Sequence, residues 1–344
     1  MTLRHQTRRI KVSVALAITI LAGLSVEFPV VKASSPMYSV TDLGTLGGNS
    51  SEALGINNAG TVVGYASAVP ANPISDQPLP FVYANGAMTA LSAGFGWATA
   101  INATGQITGF TLLPGNRNVD AFIYQNGRLM DLGSLPGYSN MPYSQGYAIN
   151  AAGTVVGESN AEAMIYQNGE MVGFSRRAAQ VAYGVNDNGD VVGMLSTMTH
   201  HHAFLFSGNN LQDLGTLDGD KNGTSLATAI NNRGQVVGTS WINGNSVQRA
   251  FLYQNGVMTD LGTLRGGYAA ANGINNSGDI VGESDGSAFL IHNGVMIDLN
   301  SAIQQTGNLP GLNRARGIND LGQIVGLGFF LNEGARAFLL KPLQ

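Results

Sequence analysis

One ten-residue phrase recurs seven times along the chain, and it constrains the fold more than any other feature of the sequence. It reads GINNAGTVVG at its first occurrence and AINNRGQVVG at its fifth, and successive copies are 36 to 48 residues apart. A second phrase of the type AFLYQNG follows each copy, and a third of the type MTDLGTL follows in every copy but the last. Self-similarity at a period of roughly 20 to 50 residues is typical of solenoids, propellers and related repeat architectures.

Each repeat predicts four short β-strands, because Val, Ile, Phe, Tyr and Thr dominate the phrases. Asn-x-x-Gly separates the first and second strands, and Asn-Gly often separates the third and fourth. Asn begins such turns with its side chain, and Gly takes the position with positive φ. The other two connections vary in length. We therefore expect one end of the fold to carry short regular turns and the other to carry variable loops, where function concentrates.

Four strands in about 44 residues are the pattern of a β-propeller blade, and an open β-solenoid is the competing architecture. The third phrase that the last repeat lacks stands at the start of the chain instead, at residues 38–46. A ring explains this displacement, because an N-terminal strand then completes the final blade and leaves no open edge. We predict an all-β fold: a seven-bladed β-propeller of four-stranded blades, closed by the N-terminal strand, with residues 34–344 as a single domain.

Residues 1–33 predict a secretory signal peptide. Four basic residues precede an apolar run from Val12 to Val26, and small residues allow cleavage after Ala33. This run of 15 residues is shorter than a membrane span of about 20, although an uncleaved anchor is the alternative. We expect a secreted protein, extracellular or periplasmic, with no membrane attachment after cleavage.

Composition excludes several classes of protein and partner. The chain has no Cys, which excludes disulfide scaffolds, iron–sulfur proteins and thiol enzymes, and its 47 Gly and 11% charged residues argue against a helical bundle. Without the predicted signal peptide, 12 Lys and Arg remain against 20 Asp and Glu. We expect no nucleic-acid partner, because phosphate binding needs clustered basic residues. No G-x-S-x-G, H-E-x-x-H or P-loop motif occurs. We expect no cofactor and no metal, and we expect a monomer.

The three phrases resemble those of the HAF repeat family of extracellular bacterial proteins. The resemblance covers residues 38–340, and the triplet that gives the family its name stands intact once, at residues 202–204. It implies export and a repeat architecture. It implies no established activity and no catalytic residues, so none can be assigned from it.

In a repeat protein, residues that most copies share are expected to serve the scaffold, whereas a binding site is expected at positions where the copies differ. The shared asparagines of the first turn and the shared aspartates of the fourth strand are interpreted as turn acceptors. Two positions of the first strand, two and four residues before its final isoleucine or valine, vary in chemistry and share a face by the period of two. We propose ligand-binding candidates at these positions, with ordinary packing between blades as the alternative: Glu52, Trp97, Tyr147, Tyr183, Arg314 and Arg316.

Two further features are singular in the sequence. Trp241, in SWINGNS, is interpreted as an aromatic residue of an exposed loop that could stack on a sugar or a peptide. His200, His201 and His202 are expected to lie in a solvated loop, because adjacent residues on a strand point to opposite faces and chelate poorly.

The sequence favours a non-enzymatic binding module for an unknown glycan, peptide or protein. The alternative is a secreted polysaccharide hydrolase or lyase, with Glu52 as acid or base beside Arg314 and Arg316 at the mouth of the central channel.

Overall fold

The computed structural model describes residues 29–33, 37–68, 77–113, 115, 118–136, 142–174, 179–196, 200–304 and 311–343. Most of the predicted signal peptide, residues 1–28, therefore lies outside the described residues.

Almost all regular structure is β-strand, as the composition and the repeated phrases predict. The strands of the first half are β1 (Val30–Val31), β2 (Tyr38–Asp42), β3 (Gly47–Ile56), β4 (Val62–Ala68), β5 (Pro78–Ala84), β6 (Ala87–Ala90), β7 (Gly96–Ile101), β8 (Ile107–Leu112), β9 (Val119–Gln125), β10 (Arg128–Asp131), β11 (Ser144–Ile149), β12 (Val155–Ser159), β13 (Glu162–Gln167) and β14 (Glu170–Gly173). The remaining elements are β15 (Ala179–Val185), β16 (Val191–Ser196), β17 (His201–Ser207), β18 (Asn210–Gly215), β19 (Thr224–Ile230), β20 (Val236–Ile242), β21 (Val247–Gln254), β22 (Val257–Asp260), β23 (Ala269–Ile274), β24 (Ile280–Ser284), β25 (Ser287–His292), β26 (Val295–Asp298), α1 (Leu299–Ala302), β27 (Gly311–Ile318), β28 (Ile324–Phe330) and β29 (Gly334–Pro342).

Each repeat folds as an antiparallel meander of neighbouring strands. Strands β3–β6, β7–β10 and β11–β14 form three four-stranded sheets. Strands β15–β22, from the next two repeats, form an eight-stranded sheet in which a single parallel pairing, His201 with Thr224, joins the two meanders. The sixth meander, β23–β26, carries β1 on its outer edge as a fifth strand.

The last repeat supplies three strands, and the N-terminal segment supplies the fourth. Strand β2 pairs antiparallel with β29, with Tyr38 opposite Pro342 and Asp42 opposite Phe338. Strand β1 falls within the predicted signal peptide and runs parallel to β26, with Val30 opposite Met296.

The hydrophobic core is divided among the interfaces between successive sheets. Val192 and Ala203 of the fourth repeat, for example, pack with Ala227 and Phe251 of the fifth in one buried cluster. Two adjacent residues of each second strand are buried on opposite faces of the sheet, and they are both apolar in six of the seven repeats, which explains why this strand is mostly a continuous apolar run. The third strand contributes a fully buried phenylalanine in six repeats: Phe81, Phe122, Phe204, Phe251, Phe289 and Phe338.

Close backbone approach explains the glycine that ends each repeated phrase. At Gly238, a Cβ atom would overlap the carbonyl oxygen of Leu226 on the neighbouring first strand. The equivalent overlap occurs in every copy, so only glycine lets the first and second strands approach at this point. These glycines are Gly64, Gly109, Gly157, Gly193, Gly238, Gly282 and Gly326.

The shared asparagines hold the first turns and connect successive repeats. The Asn231 Oδ1 accepts hydrogen bonds from the backbone N–H groups of Arg233 and Gln235, both at 3.0 Å. Its Nδ2 donates to the backbone carbonyl of Asn275 in the next repeat, also at 3.0 Å. The same bond recurs from each asparagine to the next, and Asn319 donates to Asn57 at 2.9 Å. The structural interpretation of these residues is confirmed.

The fourth-strand aspartates cap the turn that follows them, as predicted. Each accepts a hydrogen bond from the backbone N–H two residues further on, at 2.8 Å where that residue is glycine. These aspartates are Asp42, Asp131, Asp213, Asp260 and Asp298.

Candidate functional site

A β-bulge interrupts every first strand at the same position, and this feature organises the candidate site. In every repeat, the register between the first and second strands shifts at the residue two before the final isoleucine or valine. A bulge leaves its extra residue out of the ladder and redirects its side chain. The bulge residues are Leu54, Thr99, Tyr147, Tyr183, Thr228, Asn272 and Arg316.

Several bulge side chains reach the first strand of the next repeat. Thr99 Oγ1 donates to the Gly146 carbonyl at 2.8 Å, and Thr228 Oγ1 donates to the Ala271 carbonyl at 2.7 Å. The bulge position is therefore a bridge between repeats as well as a variable position. Packing between repeats, the alternative that the sequence left open, is therefore present at Thr99 and Thr228, and ligand binding at the bulge position stays a prediction.

Arg316 and Glu52 join the last repeat to the first. The Arg316 Nε donates to Glu52 Oε1 at 2.7 Å, and the Tyr65 hydroxyl donates to Glu52 Oε2 at 2.6 Å. Glu52 is only 3% exposed, so its charge is balanced inside the protein. Burial, followed by the Glu52 charge and hydrogen bond, raises the pKa of Tyr65 well above its ordinary value.

Trp97 extends this group into the second repeat. Its ring stacks on Tyr65, with centroids 4.7 Å apart and planes inclined by 21°, and its centroid lies 5.3 Å from that of Phe110. We call Glu52, Tyr65, Trp97, Phe110 and Arg316 the Glu52 cluster. Aromatic neighbours thus flank the Trp97 ring, and both carboxylate oxygens of Glu52 are engaged.

A second group forms around Glu158, where the third and fourth repeats meet. The Tyr147 and Tyr183 rings are 5.5 Å apart at 42°. The Tyr147 hydroxyl lies 2.8 Å from Gln145 Oε1 and 3.3 Å from Glu158 Oε1. We call Gln145, Tyr147, Glu158 and Tyr183 the Glu158 cluster.

The Glu158 carboxylate differs from Glu52 in having no cationic partner among the described residues. Burial raises the pKa of Glu158 above its ordinary value, and the hydrogen bond from Tyr147 opposes this only partly. Burial is also the main cause of the raised pKa values of Tyr147 and Tyr183, and the Glu158 charge adds to both. The cluster is a half-buried anionic site with aromatic walls.

Arg314 forms a separate ion pair between the last two repeats. Its Nε lies 3.3 Å from Glu283 Oε2, which is close enough for an ion pair. The two groups are not aligned for a hydrogen bond. Arg314 and Arg316 are two residues apart but pair with glutamates of different repeats, so the arginines do not converge on Glu52.

Trp241 lies outside both clusters, and the interpretation as an exposed-loop aromatic is wrong. It is half-buried in β20, opposite Thr224 and Gln248 in the ladder. The second and third strands of this repeat meet in a turn at residues 243–246, so the supposed loop is a hairpin.

The second-strand residue that follows each closing glycine was not among the predicted site residues. This residue pairs across the ladder with the first-strand residue four before the final isoleucine, as Tyr65 does with Glu52 and Glu158 with Gln145. The available signal was a variable position directly after an invariant glycine. Across the seven copies, its residues are Tyr65, Phe110, Glu158, Met194, Thr239, Glu283 and Leu327.

A cavity lies at the other end of the first strands, apart from both clusters. Isoleucine or valine, asparagine and the following residue of all seven copies line a volume of about 260 Å³. The asparagine amides there are already bonded to neighbouring backbone groups.

Comparison with solved structures shows a fold of the propeller type. The chain resembles a puromycin-hydrolyzing peptidase from Mycobacterium tuberculosis, with a TM-score of 0.56 and 9% identity over 91% of this chain and 57% of that one. It resembles YCF48, solved bound to D1 peptide, with a TM-score of 0.54 and 9% identity over 92% of this chain and 100% of that one. It also resembles the extracellular domain of the putative one component system BT4673 from B. thetaiotaomicron, with a TM-score of 0.51 and 12% identity over 88% of this chain and 39% of that one.

At these identities the likeness concerns the fold alone. The chain spans little more than half the length of the peptidase and less than half that of the BT4673 domain. No family model matches the chain, and no curated protein matches it. Within the described residues, no helix is long and apolar enough to cross a membrane.

Proposed function

We propose that the seven repeats form a seven-bladed β-propeller of the HAF repeat type, closed by the N-terminal strand β2. Three observations support closure. Strand β2 pairs with β29, Asn319 donates a hydrogen bond to Asn57, and Arg316 pairs with Glu52. Each of these contacts joins the two ends of the repeat array.

The proposal includes export. Cleavage of the predicted signal peptide after Ala33 would remove β1 and leave β26 as the outer strand of a four-stranded blade, like the others. The exported protein should begin at Ser34, which N-terminal sequencing of culture medium or periplasm checks. A mature protein that retains residues 1–33 would contradict this part.

The protein acts, in this proposal, as a non-enzymatic module that binds a peptide segment of a partner protein. The observation that carries it is Glu158, a half-buried carboxylate without a described cationic partner, beside Tyr147 and Tyr183. A buried charge without a counter-ion is costly, and a Lys or Arg side chain from a ligand would supply both an ion pair and cation–π contacts.

A peptide fits the first strands better than a glycan does. Sugar recognition would need an open aromatic face, whereas the Trp97 ring already stacks on Tyr65 and contacts Phe110. The hydrolase alternative from the sequence needs a carboxylate that can exchange a proton with substrate. Glu52 is buried, and both of its oxygens are bonded, so the geometry does not favour it as acid or base.

A phage-displayed random peptide library, panned against the protein, tests the proposal. We expect enriched peptides to carry Lys or Arg and to bind with micromolar dissociation constants. Glu158→Gln should weaken their binding about tenfold, equivalent to about 1.4 kcal/mol. Glu170→Gln, at an exposed position of β14, is the matched control and should bind like the wild type, because Glu170 lies outside both clusters.

Two outcomes would contradict the peptide proposal. One is a panned pool whose peptides bind the wild type and Glu158→Gln equally. The other is an array glycan that binds the wild type and loses affinity on Tyr183→Ala, which would assign the same cluster to a sugar.

A further inference from the structure

Three side chains that can each ligate a metal ion lie close together on the third and fourth strands of the fourth repeat. His200 directly precedes β17, and His202 lies within it. Residues two apart on an extended strand share a face, and the two imidazole centroids are 4.3 Å apart. Asp213 approaches from β18, and one potential ligand atom from each of the three residues lies within 4.8 Å of the others.

This arrangement corrects the expectation of a solvated histidine loop. His202 is 5% exposed and pairs with Leu195 in the ladder. Alternation along the strand separates His201 from its neighbours, but it brings His200 and His202 together. The expectation of a poor chelate holds for adjacent histidines but not for this pair at i and i+2.

The two nitrogens of the His202 ring are in different situations. Nδ1 lies 2.9 Å from each carboxylate oxygen of Asp213. Asp213 is itself held by the Gly215 N–H, which donates to its Oδ1 at 2.8 Å. Nε2, in contrast, is buried and has no hydrogen-bond partner among the described residues. A buried imidazole nitrogen without a partner is unusual and calls for an explanation.

A carboxylate that fixes one nitrogen of a histidine while the other stays available is the arrangement that metal sites use. The carboxylate sets the ring orientation and raises the basicity of the ligating nitrogen. Zinc, nickel and copper ions suit imidazole ligands, whereas Mg²⁺ and Ca²⁺ prefer oxygen.

The other repeats provide an internal comparison. In the fifth repeat the position of His202 is occupied by Arg249, whose Nε lies 3.8 Å from Asp260. A basic side chain facing the capping aspartate therefore recurs in the fifth repeat, while a second histidine two residues before it occurs in the fourth repeat alone.

We propose that His200 and His202 Nε2 bind one divalent transition-metal ion of the zinc, nickel and copper class, with Asp213 positioning the His202 ring. Two protein ligands leave further coordination positions for water or for a ligand of the metal. The site lies on the third and fourth strands of its repeat, apart from both clusters on the first and second strands, and it does not depend on the peptide proposal.

Calorimetric titration of the untagged protein with Zn²⁺ and Ni²⁺, and with Mg²⁺ as a negative control, tests the proposal. We expect one equivalent of Zn²⁺ or Ni²⁺ to bind and Mg²⁺ not to bind. His200→Ala should weaken binding at least about tenfold, and Asp213→Asn, which can still cap the turn, should weaken it by about 10- to 100-fold. Both variants keep the buried His202, so their folding can be checked by circular dichroism.

Matched controls come from the remaining histidines of the described chain. His201→Ala and His292→Ala should bind like the wild type, because neither residue belongs to the group of three. Co²⁺ should give visible d–d absorption in the wild type that His200→Ala loses. Absence of Zn²⁺ and Ni²⁺ binding, unchanged binding in His200→Ala, or an equal loss in His292→Ala would overturn the proposal.

Discussion

Some polar side chains of this protein stabilise the folded state, whereas others lower its stability when they are buried. Asn231 satisfies three backbone groups, and Glu52 balances its charge with Arg316. Glu158 has no such compensation among the described residues, since burial raises its pKa and a single tyrosine bond opposes the effect. Strain or unpaired charge that persists in a stable scaffold is often retained for binding.

Glu158→Gln should therefore make the free protein more stable at pH 7. A carboxyl whose pKa is raised on folding weakens the native state when it is ionised, so this cost grows as the pH rises above the ordinary range of glutamate, about 4. The stability gain of the variant should disappear as the pH falls towards that range. Urea denaturation of both proteins between about pH 4 and pH 7 measures the difference in their free energies of unfolding.

The control for this prediction is Glu170→Gln, at an exposed position of β14, which should change stability by less than about 0.5 kcal/mol. A Glu158→Gln protein that is less stable than the wild type at pH 7 would contradict the prediction. So would a stability difference that does not vary with pH.

At the scale of elements, the turns and strands could be predicted, but the bulges could not. Asn-x-x-Gly and Asn-Gly specify turns through local chemistry, and the structure has them in the predicted places. The period-of-two argument placed Glu52 and Leu54 on one face, but it assumed a regular strand. The bulge at Leu54 and its equivalents depends on how the first strand pairs with the second, which local propensity does not specify. For the same reason, the second-strand residues Tyr65 and Glu158 were missed.

The first turn of the fifth repeat offers a test of element stability. Asn231→Ala should destabilise the protein by about 2–4 kcal/mol, because two backbone N–H groups and one carbonyl lose their partner. Asn222→Ala, at an exposed position whose side chain makes no hydrogen bond within the described chain, should cost less than about 0.5 kcal/mol. Equal effects of the two substitutions in chemical denaturation would contradict the role given to Asn231.

On the scale of the whole molecule, the two ends of the repeat array meet. The sequence indicated this through the third phrase, which is absent after the last repeat and present before the first. Strand β2 completes the sheet of β27–β29, and a buried cluster combines Val325 of the last repeat with Ala53 of the first. The sequence also placed Glu52 beside Arg316, and the ion pair is present. The different partner of Arg314, which pairs with Glu283, could not be predicted, because the bulge at Arg316 depends on how the strands pair.

A double-mutant cycle on Glu52 and Arg316, 264 residues apart in sequence, tests the meeting of the two ends most directly. Glu52→Gln, Arg316→Gln and the double variant are compared with the wild type by urea denaturation. If the first and last repeats are in contact, the two substitutions should be coupled by about 1–3 kcal/mol. A coupling energy below about 0.5 kcal/mol would mean that the residues act independently and would contradict a closed ring.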